Sequence, residues 1–207
     1  MSKKARFLML LVSLSIMLCF MSNTYSRYVA GTTGDINASF SRWQILVNNH
    51  DITTNTNSTI PINPIIEDNE HIMANTLAPT SKGYFDIDID PTNVDVSFRY
   101  IIDLNLDNEF LPDLLLTRYA IVPRGHNGSD PLNFVNLNGT SITDTLLFNN
   151  NINAFRFQAF TIRVFFEWYQ GDDKILTDEE ETAIALLANE KSWRVEANIS
   201  FEQVITS

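Results

Sequence analysis

The stretch Ser81–Leu106, SKGYFDIDIDPTNVDVSFRYIIDLNL, constrains the fold more than any other part of the chain. Phe85, Ile87 and Ile89 alternate with Asp86, Asp88 and Asp90. After Pro91-Thr92-Asn93 the alternation resumes, with Val94, Val96, Phe98, Tyr100, Ile102 and Leu104 against Asp95, Ser97, Arg99, Ile101 and Asp103. A period of two puts successive side chains on opposite faces of a strand. Two such runs around a Pro/Asn break predict antiparallel neighbours in one hairpin, with one wet face and one dry face. Each large side chain on the dry face contributes about 1.5–3 kcal/mol when fully buried. That face therefore demands a second sheet or another cover. The acidic triplet Asp86, Asp88 and Asp90 reads as a solvated face. Its alternative is a calcium site, because hard cations take clustered oxygens.

The 207 residues are 44% hydrophobic and 19% charged, which suffices for one domain with a sizeable core. The formal charge of −11 argues against nucleic acid, whose phosphates require Lys and Arg. At the start, Lys3, Lys4 and Arg6 precede the apolar run Phe7–Met21, and Ser22–Ser26 turns polar. This is the three-part pattern of a secretory signal, and the run is short for a bilayer span. Residues 1–26 are expected to be the signal peptide, with the cut after Ser26. An uncleaved signal segment would be the chain's one contact with a membrane. The cut removes three of the 14 basic and none of the 25 acidic residues, so the charge falls from −11 to −14. It also removes Cys19, the only cysteine, and leaves no disulfide to staple the product.

Residues 27–207 read as one β-sandwich domain. Asp35–Val47 is strand-like with a phase slip around Ser41-Arg42, read as a bulge. Asn48–Asp51 is a turn. Ile52–Ile66 is a weak edge strand or loop. Leu114–Val122 is a strand, and Pro123–Pro131 a surface loop. Phe134–Asn138 and Ser141–Leu147 suggest a hairpin around Asn138-Gly139. Phe155–Tyr169 and Trp193–Ile205 are strong strands. Between them, Thr177-Asp178-Glu179-Glu180 is a capping box ahead of a short helix over 178–189. Many strands with one late helix give an all-β, antiparallel sandwich of jelly-roll type. Phe98, Ile102, Val164 and Ile199 are expected in its core, as are Trp43, Trp168 and Trp193.

No catalytic constellation emerges, and neither a cofactor nor a metal is expected. His50, His71 and His126 stand apart from other candidate ligands, and Glu70-His71 lacks the second His of a zinc-protease motif. The acidic run GDDKILTDEEET lacks the central glycine of a calcium loop. The chain is read as a non-enzyme.

Several stretches together carry a resemblance. They are the basic start with its apolar run, the exit TYSRYVAGTTGDINASFSRWQILVNNHDI, the stretch LAPTSKGYFDIDIDPTNVDVSFRYII, and FTIRVFFEWYQGDD with WRVEANISFEQV. They resemble the TasA/camelysin-like exported proteins of Gram-positive bacteria, which carry a SipW-type (alternate) signal peptide. Typical members have Ala-Tyr-Phe or Ala-Arg-Tyr at the signal exit, where this chain has Ser26-Arg27-Tyr28. The resemblance implies processing by a SipW-type signal peptidase and a secreted jelly roll. For the fibre formers among them it implies polymerisation, in which the freed N-terminal segment of one subunit completes a sheet of its neighbour. Camelysin-type members are described as proteases, but this chain has no metal motif.

The expectation is a secreted structural protein of the cell surface or biofilm matrix, self-associating or joining a related surface subunit. Its assembly arm is Arg27–Asn37 with its flank, and Tyr28, Val29, Ile36 and Ala38 are the candidate contact residues. Strand addition can replace covalent stapling because backbone hydrogen bonds supply the affinity. The alternative is a monomeric binding module for wall glycan or a cation. It would use the loop Pro123–Pro131 or Tyr169 with Asp172-Asp173.

Overall fold

The computed structural model describes residues 3–29, 40–53, 60, 62–106, 111–126, 132–187 and 195–204. The chain divides into two units, Met1–Phe40 and Ser41–Ser207. In the first, helix α1 spans Lys3–Val29. Its run of Leu and Met favours helix, and Ser13 and Ser15 return their hydroxyls to the carbonyls of Leu10 and Leu11, at 3.0 Å each. Phe7, Leu8 and Leu10 are exposed. Among the described residues, no helix is long and apolar enough to cross a membrane. The bond expected to be cut, after Ser26, lies within α1.

The second unit is an antiparallel β-sandwich. The larger sheet is built from β1 (Trp43–Val47), β2 (His50–Asp51), β3 (Ile65–Ile66), β4 (Lys82–Val94), β6 (Leu114–Pro123), β7 (Phe134–Asn136) and β9 (Phe160–Trp168). Its order is β2-β1-β4-β9-β6-β7, with β3 beside β4. The smaller sheet has three strands, β5 (Phe98–Leu106) flanked by β10 (Val195–Gln203) and β8 (Ser141–Leu146).

The hairpin expected across Pro91-Thr92-Asn93 does not form. β4 runs straight through that break to Val94, and β5 lies in the other sheet. The break is a bulge: Asp90 pairs with Leu46 and Asn93 with Gln44, so Pro91 and Thr92 together oppose Ile45. The bulge shifts the buried phase from Phe85, Ile87 and Ile89 to Val94. Proline is tolerated there because β9 stops pairing with β4 at Ile89, so no partner needs its missing N–H. Asp90 braces the bulge by accepting from the amide and hydroxyl of Thr92, at 3.1 and 2.7 Å. The bulge lies in β4, while β1 alternates without a break from Trp43 to Val47; the part of Asp35–Val47 before Phe40, which the phase slip expected at Ser41-Arg42 involves, lies outside the described residues.

The true corner is Asp95-Val96-Ser97, where the chain passes to the smaller sheet. Arg42 clamps it. Its amide and Nε both donate to Asp95 Oδ2, at 3.0 and 2.9 Å, and Nη2 donates to Oδ1 at 2.7 Å. These bonds hold the Asp95 carboxyl well below the usual carboxylate range. The dry faces of β4 and β5 then meet across the sandwich instead of lying side by side. Ile87, Ile89, Phe98, Ile102, Ile162 and Val164 are all buried between the sheets. Ile199, on β10, packs against the same core while half-buried.

The Asn138-Gly139 hairpin is corrected in the same way. β7 belongs to the larger sheet and β8 to the smaller, so Gly139 (φ 87°) turns the chain between layers. Asn48 and Asn49 do make a hairpin turn, with positive φ at both (47° and 67°), joining β1 to β2. Helix α2 (Asp178–Leu186) starts on the expected capping box. Thr177 Oγ accepts from Glu180 N, and the Glu180 carboxylate accepts from Thr177 N. It ends at Leu187, and residues 188 and 189 lie outside the described residues. Trp168 is buried, Trp43 is 37% exposed at the rim against Phe98, and Trp193 lies outside the described residues.

Candidate functional site

The acidic triplet lies on the outer face of the larger sheet, and each member already has a protein partner. Asp86 accepts two hydrogen bonds from Arg163, Asp88 accepts from the Thr161 hydroxyl, and Asp90 accepts from Arg124. Tyr84, Arg163, Phe165, Arg118 and Phe134 continue this face as a stack. Arg163 lies 4.0 Å from the Tyr84 ring centre, and Arg118 lies 3.9 Å from that of Phe134. Asp86 raises the Arg163 guanidinium above its ordinary value.

A second polar group fastens α2 to the sandwich. Glu181 is buried and accepts from Trp168 Nε1 at 3.1 Å, from Lys174 Nζ at 3.2 Å, and from Gln170 Nε2. Asp113, also buried, accepts from the amides of Ile175 and Leu176, at 2.8 and 2.7 Å. Both carboxylates are satisfied from inside the fold, as buried charges must be. Beside them, the Tyr169 hydroxyl donates to Asp173, and that hydrogen bond is the main cause that raises the phenol above its ordinary value. The ligand corner expected at Tyr169, Asp172 and Asp173 is thus partly closed on itself. Of the loop Pro123–Pro131, residues 127–131 lie outside the described residues. Arg124 ties the start of that loop to Asp90 and Asn49. His50, His71 and His126 fall on separate elements. Among the described residues, no group of three or more His, Cys, Asp or Glu could hold a metal ion.

The assembly residues are placed as follows. The backbone of Tyr28 and Val29 closes the last turn of α1 in the uncleaved chain. Ile36 and Ala38 lie outside the described residues.

The site that sequence reading missed is the edge of the smaller sheet. Among the described residues that sheet is three strands wide against the six in line opposite, so it is narrower by about 14 Å at about 4.8 Å per strand. Among the described residues, β8 and β10 each pair with β5 alone. β10 offers nine residues of unbroken register, with Val195, Ala197, Ile199 and Phe201 half-buried on its inner side. On β8 the inner side carries Ile142, Asp144 and Leu146, because they pair with the inward Ile102, Tyr100 and Phe98. Asp144 is therefore a carboxylate in an apolar phase, directly opposite Tyr100. Tyr100 is buried, and its hydroxyl has no hydrogen-bond partner. Burial raises this phenol far above its ordinary value, and Asp144 and Tyr119 add to the shift. On the larger sheet, Ile121 and Val135 fall in the inward phase, paired with Ile162 and Tyr119, yet remain 43% and 48% exposed.

Fold and site together define an antiparallel β-sandwich whose smaller sheet, among the described residues, ends in two unpaired edges. A scan against protein-family models and a search of curated proteins both return no match.

Proposed function

We propose that this chain is an exported structural subunit of the cell surface or extracellular matrix, of jelly-roll type. In this reading a SipW-type signal peptidase frees the N-terminus. Copies then assemble into a fibre when the freed N-terminal segment of one adds a strand to another, as the likeness to TasA/camelysin-like proteins implies. The observation that carries the reading is the under-width sheet, both of whose edges are unpaired among the described residues. An unpaired edge presents a row of N–H and C=O groups ready for another strand. The overhang of the larger sheet hinders edge-to-edge contact of two folded copies but admits a single extended segment. The boundary of the sandwich unit at Ser41 adds support, because Arg27–Phe40 is not part of that unit. The reading gives the protein no catalytic role and no nucleic-acid partner. The monomeric binding module ranks second, since the Tyr169 hydroxyl is already committed to Asp173.

The test compares purified residues 27–207 with a form starting at Asp35, by electron microscopy and sedimentation. Filaments from the longer form alone are expected. Monomers from both would remove the reading.

A further inference from the structure

We propose that the slot beside β8 accepts the N-terminal strand of a second copy, and that Asp144 selects that strand by pairing with the cation of Arg27. This rests on the assembly reading above and names the edge and the recognising residue within it.

The two edges of the smaller sheet are not equivalent. β10 carries Glu196 and Glu202 outward, Glu202 is paired with Arg99, and its inner side carries no charge. The β8 flank is unfinished in two respects. Its backbone edge is unpaired among the described residues, and the Tyr100 hydroxyl, on the strand it flanks, is buried without a partner. A buried hydroxyl left unsatisfied is costly, and an incoming strand can supply what it lacks. Asp144 decides which strand enters. An inward charge on an edge strand blocks indiscriminate pairing. A strand bringing an apolar or acidic residue against Asp144 is disfavoured, whereas one bringing a cation is held.

The cations described within the sandwich are already engaged. Among its described residues, seven Lys and Arg side chains sit in ion pairs, and Arg118 lies over Phe134 and Phe165. The freed segment brings Arg27, which would also carry the new α-ammonium group. A chain with 25 acidic residues otherwise offers mostly like charge to Asp144.

The experiment uses residues 27–207 and follows filament growth by light scattering and electron microscopy. Asp144→Lys and Arg27→Glu are each expected to slow growth by about tenfold, and the double variant to regain most of the loss. Asp144 is exposed, so an unchanged melting temperature shows that the variant folds. A second arm uses the absence of cysteine beyond residue 26. Val29→Cys is combined with Thr143→Cys on β8 or with Ser200→Cys on β10, and copies are joined by a short bismaleimide. Cross-linking through Thr143→Cys is expected. Cross-linking through Ser200→Cys alone, or growth of Asp144→Lys at the parent rate, overturns the slot and leaves the assembly reading standing. A parent chain that stays monomeric overturns both.

Discussion

Arg163 on β9 grips Asp86 on β4 through two parallel hydrogen bonds of 2.8 Å, from Nε to Oδ1 and from Nη2 to Oδ2. The two residues are direct cross-strand partners, and the guanidinium carbon lies 4.0 Å from the ring centre of Tyr84, two residues along β4 on the same face. Lysine cannot reproduce either the fork or the stacking. Arg163→Lys should therefore cost about 1 kcal/mol, or a fall in melting temperature of about 2–4 °C for a chain of this size. Thermal unfolding followed by circular dichroism checks it. A double-mutant cycle with Asp86→Asn should recover most of that cost as coupling.

Glu181 makes a larger prediction. Replacing it by alanine strands the buried Trp168 indole N–H and removes a carboxylate from Lys174. Breaking a buried polar network from one side costs about 3 kcal/mol. Glu181→Gln keeps an acceptor for the indole and should lose less. Denaturant titration of both variants, with tryptophan fluorescence as the probe, separates the two.

Gly83 should be intolerant of any side chain. A Cβ there would run into the Ile65 carbonyl and the buried Phe166 ring. The ring belongs to the packed core and the carbonyl to the β3–β4 ladder, so neither yields cheaply. Gly83→Ala is expected to destabilise by about 1–3 kcal/mol, against a propensity-based expectation that alanine would help a strand. Urea unfolding measures the sign directly.

Acid should weaken the corner at Asp95. Its folded pKa is lowered by hydrogen bonds from Arg42, and those of Asp178 and Glu180 are lowered by Lys174 and by Thr177. A lowered carboxylate contributes stability that is fully present above its unfolded pKa of about 4 and is lost as pH falls through the folded value. Asp95→Asn should therefore be less stable than the parent at pH 7. The gap should shrink progressively as pH falls below about 4. Melting curves across pH 2–7 give the test, and a constant gap would contradict it.

Much of this fold was legible in the residues, for physical reasons that also explain the errors. Alternation over Phe160–Trp168 marked a strand because its inner face is wholly covered, and Thr177–Glu180 marked a helix start because the capping box is local chemistry. Asn48-Asn49 marked a tight turn because Asn tolerates positive φ. Period-two patterning tells which face of a strand is dry but not which sheet the strand joins. Pro91-Thr92-Asn93 therefore looked like a hairpin turn when it is a bulge within β4. Asn138-Gly139 likewise looked like a hairpin and is a passage between layers. The edge site had one readable signal. In Ser141–Leu146, Asp144 falls in the same phase as Ile142 and Leu146, where a charge has no place in a closed core. Its neighbour Tyr100 could not be found this way, because an unpartnered hydroxyl is a property of the packing.

Amide hydrogen exchange of residues 27–207, before and after assembly, tests most directly whether the smaller sheet is completed by a strand from another copy. The expected result is new protection at alternate amides of Ser141–Leu146, with Ile102 and Val164 slow in both states. Filaments in which those edge amides exchange as fast as in the monomer would contradict it.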